Sequence, residues 1–314
     1  MSDQLWQYSA SELAKMIRNK DVSSEEVVKD HLQRIGEVNP KLNSITIVLE
    51  ESSLAEARKA DQSKPVGPLH GVPVTVKENI DLFGTPTTSG IPAGAELMPA
   101  ADAPVVRRMK KAGAIPIGRT NLPELGLRID TDNPLRGRTL NPWDQTRTAG
   151  GSSGGEASAI ASGMSPLGLG NDIGGSVRNP AFCCGISALK PSAGRVPRAS
   201  TIAPVERGFA DQWMAVDGPM ARRVEDLKVA YEVLSGREIL DPMSADVPLY
   251  GPDFPKRAAI VKEVPGVELP PSALGAIDKV QSVLRAAGWE TQEVQPPELE
   301  RVHEIWAHVL SANF

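Results

Sequence analysis

Residues 150–178 read GGSSGGEASAIASGMSPLGLGNDIGGSVR. The stretch sets a small-residue helix at 156–162 and a short strand near Leu167–Leu169 between two glycine and serine turns, Gly150–Gly155 and Gly174–Ser176. Working upstream, Val105, Val106 and Met109 fall at helical spacing within 103–112, and Gly113 leads into an apolar strand at 114–118. Before that, Val72-Pro73-Val74-Thr75-Val76 is a β-branched run that ends on Lys77. Helices and strands in alternation predict an α/β fold.

Further out, Ser9 precedes a helical pattern carrying Leu13, Met16 and Ile17, and Ser23 with Glu26 forms a capping box before Val27, Val28, His31, Leu32 and Ile35. Asn39-Pro40 is expected to close that helix. A strand at 44–49 and an Ala- and Glu-rich helix to about Ala60 follow. Beyond Lys190-Pro191 the pattern gives a helix at 224–234, a strand at 258–261, a helix from Ser272 stopped by Gly288, and a last helical piece from Glu298. No repeat and no linker divides the chain, so one domain over 1–314 is expected.

The 314 residues suffice for a sizeable core, and 40% hydrophobic with 23% charged residues excludes a disordered tail or a fibre. A net charge of −5 gives no nucleic-acid footprint, so no nucleic-acid partner is expected. The two cysteines, Cys183 and Cys184, are adjacent and provide no disulfide framework, which favours a reducing compartment. The start shows no signal peptide, and the longest uncharged run, 157–171, is too short and too glycine-rich to span a membrane. A cytoplasmic protein is expected.

The glycine-rich stretch at 150–155 lacks the lysine of a phosphate loop. Residues 151–155 do satisfy GxSxG, which would make Ser153 a nucleophile, but the base would then have to be His303 or His308 on the terminal helix. Gly174-Gly175-Ser176 offers converging backbone N–H groups, which an oxyanion hole requires, and makes Ser176 the better candidate; a glycine turn with a capping serine explains the same residues. No histidine lies between His70 and His303, so the proton acceptor would be a lysine. Keeping Lys77 neutral needs its pKa lowered by about three units from about 10.4, roughly 4 kcal/mol, and a buried strand end could supply that desolvation. A pairing of Lys77 with Glu78 or Asp81 at a surface strand end is the competing reading. No cluster of His or Cys ligands suggests a metal, and no cofactor is expected.

Together, residues 69–79 (LHGVPVTVKEN), 150–155 (GGSSGG), 170–178 (GNDIGGSVR) and 189–191 (LKP) resemble the amidase signature family. That resemblance is carried by motifs within 65–195, extends over about residues 8–236, and weakens beyond. It implies an α/β/α sandwich around a large mixed sheet and a Ser-Ser-Lys triad that hydrolyses carboxamides through a covalent acyl-enzyme. By position it makes Ser176 the nucleophile, Ser152 the bridging serine after a cis Gly151–Ser152 bond, and Lys77 the base. It places the oxyanion hole on the amides of Ile173, Gly174, Gly175 and Ser176, with Ser153, Asp172 and Arg178 in support.

Two positions depart from the family pattern: Asn171 stands where many relatives carry threonine or serine, and Ala188 replaces a frequent glycine. Family members are usually longer, so a portion that completes the sheet and one wall of the acyl pocket is expected to be missing after Phe314, leaving an open edge that invites a homodimer. The resemblance implies a small-molecule amide as substrate. Its alternatives are the amide-hydrolysing component of a glutamine-dependent transamidation complex and an inactive binding module.

Overall fold

Val74–Lys77 alternates apolar and polar residues inside a fully buried strand at the centre of the sheet. The computed structural model describes residues 4–203 and 207–311. Its strands are β1 (Ile45–Val48), β2 (Pro73–Lys77), β3 (Ile115–Thr120), β4 (Leu167–Asp172), β5 (Ser187–Ala188) and β6 (Val216–Ala221), with β7 (Arg257–Ile260) and β8 (Glu290–Glu293) apart from them. The helices are α1 (Ala10–Asn19), α2 (Ser24–Leu42), α3 (Glu50–Asp61), α4 (Pro104–Lys111), α5 (Gly154–Ala161), α6 (Arg178–Cys184), α7 (Phe209–Met214), α8 (Val224–Leu234), α9 (Pro271–Ala286) and α10 (Val302–Ser311).

The mixed sheet runs in the order β1-β3-β2-β4-β6-β5. β2 lies parallel to β3 and β4 at the centre, while β1 and β6 run antiparallel to their neighbours β3 and β4. Because side chains alternate along a strand, Val74 and Val76 enter one core with Leu13, Val105, Met109, Leu227 and Leu234 from α1, α4 and α8. Each such buried side chain stabilises the fold by about 1.5–3 kcal/mol. Thr75 and Lys77 face the other way, where both reach residues of the α5 segment. Helices thus cover both faces, the α/β/α layering expected.

Both N-terminal capping boxes form: Ser9 with Glu12, and Ser23 with Glu26. The expectation that Pro40 ends its helix is corrected. α2 carries Pro40 inside and stops at Leu42, capped by Asn43 in the left-handed region. A proline this close to a helix end has little ladder left to break, and Asn43 N–H still reaches the Asn39 carbonyl at 2.8 Å.

Two compact units make up the chain, a division the alternation of elements does not reveal. One comprises Met1–Arg207 with Asp211–Val247 and contains the whole six-stranded sheet; the other comprises Gly208–Ala210 with Pro248–Phe314. In the second unit β7 and β8 pair in parallel, and Arg285 on α9 donates to Thr291 of β8 at 2.6 Å. Among the described residues no helix is long and apolar enough to cross a membrane.

Candidate active site

Lys77 is the last residue of β2 and is completely buried. Its side-chain nitrogen lies 2.6 Å from Ser152 Oγ and 2.6 Å from Asn171 Oδ1. The acidic neighbours offered by the sequence bind elsewhere. Glu78 pairs with Arg136, whose Nη2 is 2.5 Å from Oε1, and Asp81 accepts from Thr87, Ser200 and Thr201. Burial pushes the Lys77 pKa down to about 7; Asp172, Asp217 and Glu156 pull it up, and Arg198 adds to the lowering.

Ser152 follows a cis peptide bond from Gly151, immediately before α5. Ser153, at the N-cap of α5, is fully buried and its Oγ donates to the Asn171 carbonyl at 3.4 Å. That hydroxyl faces the interior, which removes the elbow reading in which Ser153 attacks. The two serine segments are joined through the backbone, Ser153 N–H donating to the Ser176 carbonyl at 3.0 Å. Ser176 is half-buried, and among the described residues its hydroxyl has no hydrogen-bond partner. Lys77 and Ser152 are therefore in contact, while the Ser152 and Ser176 hydroxyls are not hydrogen-bonded to each other.

The turn from Asp172 to Arg178 is built around one carboxylate. Asp172 accepts from Gly175 N–H (2.8 Å), Val177 N–H (3.1 Å), Arg178 Nε (3.0 Å) and Arg178 Nη2 (2.9 Å). Burial works to raise its pKa, but the Arg178 guanidinium and the two amides outweigh burial and hold the carboxyl below its ordinary value. Gly175 adopts a φ of +121°, which a side chain would resist. Of the four amides expected to form the oxyanion hole, Gly175 N–H donates to Asp172, and those of Ile173, Gly174 and Ser176 are left without a protein acceptor among the described residues.

Sequence reasoning passes over several groups here. Glu156 is fully buried one helical turn beyond Ser152 and takes hydrogen bonds from Thr75 and, at 2.7 Å, from Thr120. Burial raises its pKa to about 7 against the pull of those hydroxyls and of Lys77. Asp217 on β6 stands opposite Asn171 in the β4–β6 register, with Arg198 Nε 3.3 Å away, and burial raises it to about 6. Polar Thr75 and Lys77 at alternate positions of an otherwise apolar strand are the one sequence signal for this polar layer. Asp217 gives none, because Val216-Asp217-Gly218-Pro219 does not read as a strand.

Residues 26–314 match the amidase family model. The chain belongs to the amidase family. Among amidase relatives it is 42% identical to an indoleacetamide hydrolase from Bradyrhizobium diazoefficiens, an alignment covering 98% of this chain and 60% of that protein. It is 34% identical to a glutamyl-tRNA(Gln) amidotransferase component from Trichodesmium erythraeum, over 92% of this chain and 61% of that one. The solved fatty acid amide hydrolase superposes with a TM-score of 0.85 at 27% identity, over all of this chain and 59% of that chain. This amidase chain thus spans about three fifths of the length of the relatives it matches.

Proposed function

We propose that this chain hydrolyses a carboxamide to an acid and ammonia or an amine through a Ser-Ser-Lys relay and a covalent acyl-enzyme. The observation that carries the reading is the 2.6 Å contact between a fully buried Lys77, its pKa about 7, and Ser152 Oγ. A neutral amine there accepts the Ser152 proton as Ser152 takes that of Ser176, whose unpartnered hydroxyl turns toward Ser152 and attacks the amide carbon. The amides of Ile173, Gly174 and Ser176 receive the developing oxyanion, in a turn held rigid by Asp172 and Arg178. The proton returns to the leaving nitrogen, and water then cleaves the ester on Ser176.

The likeness to an indoleacetamide hydrolase favours an aryl-substituted primary amide. Ammonia release from indole-3-acetamide and from a panel of aliphatic and aryl amides tests this, alongside fluorophosphonate labelling of wild type and of Ser176→Ala. Turnover of at least one amide with labelling confined to Ser176 supports the reading. No ammonia from any amide, or labelling that persists in Ser176→Ala, overturns it.

A second reading is the glutamine-hydrolysing component of a tRNA-dependent amidotransferase, favoured by the 34% identity to such a protein. Glutamine hydrolysis that requires a partner protein, with no turnover of aryl amides, would select it.

A further inference from the structure

Besides Ser152, Lys77 Nζ hydrogen-bonds one other side chain among the described residues. Asn171 Oδ1 lies 2.6 Å from Nζ, and Asn171 Nδ2 donates to Asn79 Oδ1 at 2.9 Å. Asn171 is buried at 8% exposure next to the end of β4, and Asn79 follows Lys77 by two positions.

An unprotonated amine carries two N–H donors and one lone pair, and only the lone pair can take the Ser152 proton. A side-chain amide oxygen accepts and never donates, so Asn171 Oδ1 can engage only an N–H of Lys77. A threonine or serine at this place could accept or donate, and by donating it would occupy the lone pair. In this arrangement Asn79 Oδ1 accepts from Asn171 Nδ2, which leaves Asn171 Oδ1 to the lysine. Turned over with Asn79 unmoved, that amide would set Oδ1 against Asn79 Oδ1, two acceptors face to face, and would aim Nδ2 at the lysine.

We infer that Asn171, clamped by Asn79, is a positioning residue that turns the lone pair of Lys77 toward Ser152. The inference rests on the Ser-Ser-Lys reading above. Four charged groups bear on Lys77 from the elements around it: Asp172 from β4, Asp217 from β6, Glu156 from α5, and Arg198 from the segment after β5. Asn171 touches the nitrogen without adding charge. A carboxylate in its place would stabilise the ammonium at contact distance, and an aliphatic side chain would free the amine to rotate.

The test is the rate of Ser176 labelling by an uncharged fluorophosphonate as a function of pH, for wild type, Asn171→Asp, Asn171→Leu and Asn171→Thr, with folding checked by circular dichroism. Asn171→Asp should raise the pH at half-maximal rate by about one unit or more, so that labelling near pH 7 falls about tenfold and recovers in base. Asn171→Leu should lower the plateau about tenfold without raising the midpoint, and Asn171→Thr should recover a good part of that loss. A midpoint unmoved in Asn171→Asp, or an Asn171→Leu plateau within about twofold of wild type, overturns the inference. If the Asn171 variants do not fold, Asn79→Ala decides: a plateau lowered about threefold or more supports the clamp, and an unchanged one overturns it. Wild type that does not label at Ser176 would instead sink the Ser-Ser-Lys reading, so the two failures are distinguishable.

Discussion

The two faces of β2 share a backbone and serve opposite ends. On one, Val74 and Val76 lie in an apolar core with residues of α1, α4 and α8. On the other, Thr75 and Lys77 meet Glu156 and Ser152 in a layer as buried as the core but made of hydroxyls and titratable groups. The first face stabilises the fold. The second costs stability, because a buried amine must shed its proton, and that cost is what would let the amine serve as the proposed base at neutral pH. Desolvation, the same physical cause, works in both.

Substitutions that separate the faces order by size. Ser176→Ala removes the oxygen proposed to attack and should abolish covalent labelling and acyl-enzyme formation, read by intact-protein mass spectrometry, while thermal unfolding stays close to wild type. Lys77→Met should slow acylation by about a thousandfold in single-turnover measurements, since it removes both the proposed base and the donor to Asn171. Lys77 also leaves a mark on stability. The unfolded chain keeps its proton up to about 10.5 and the folded chain releases it near 7, so a penalty of about 5 kcal/mol is in full force below pH 7 and fades as pH rises through that window. Urea unfolding at a series of pH values should therefore show wild type gaining on Lys77→Met between these limits.

Val76→Ala, on the apolar face, should cost about 2 kcal/mol of unfolding free energy and leave the rate per folded molecule nearly unchanged. A large loss of rate there would mean the faces are not separable. The smallest effect is expected from Glu156→Gln. Removing a carboxylate that favours the ammonium should lower the midpoint of the pH–rate profile by about half a unit or less, with the Thr75 and Thr120 contacts largely kept.

Much of this was legible in the chain. The run Val72–Lys77, the caps at Ser9 and Ser23 and the helix 224–234 follow from periodicity and capping chemistry, and the structure has them there. β6 was not legible: Asp217, Gly218 and Pro219 all disfavour strands, and they are tolerated because β4 on one side and Leu189, whose N–H reaches the Pro219 carbonyl at 3.1 Å, on the other complete the pairing. At the site, sequence marks Lys77 and the serines as chemically apt residues. It gives no sign that Asn171 and Asp217 share a face, because that depends on the register of β4 against β6, set by packing across distant segments. The engagement of Gly175 N–H by Asp172 is equally invisible, since it needs the three-dimensional path of the turn.

The central claim is that burial makes Lys77 a neutral base near physiological pH. The rate at which an uncharged fluorophosphonate modifies Ser176 of the unaltered protein, followed from acid to strongly basic solution, tests it most directly. The account predicts a single rise with its midpoint at about 7 that is lost in Lys77→Met. A rise centred near the ordinary lysine value of about 10.4, or a profile that Lys77→Met leaves in place, would contradict it.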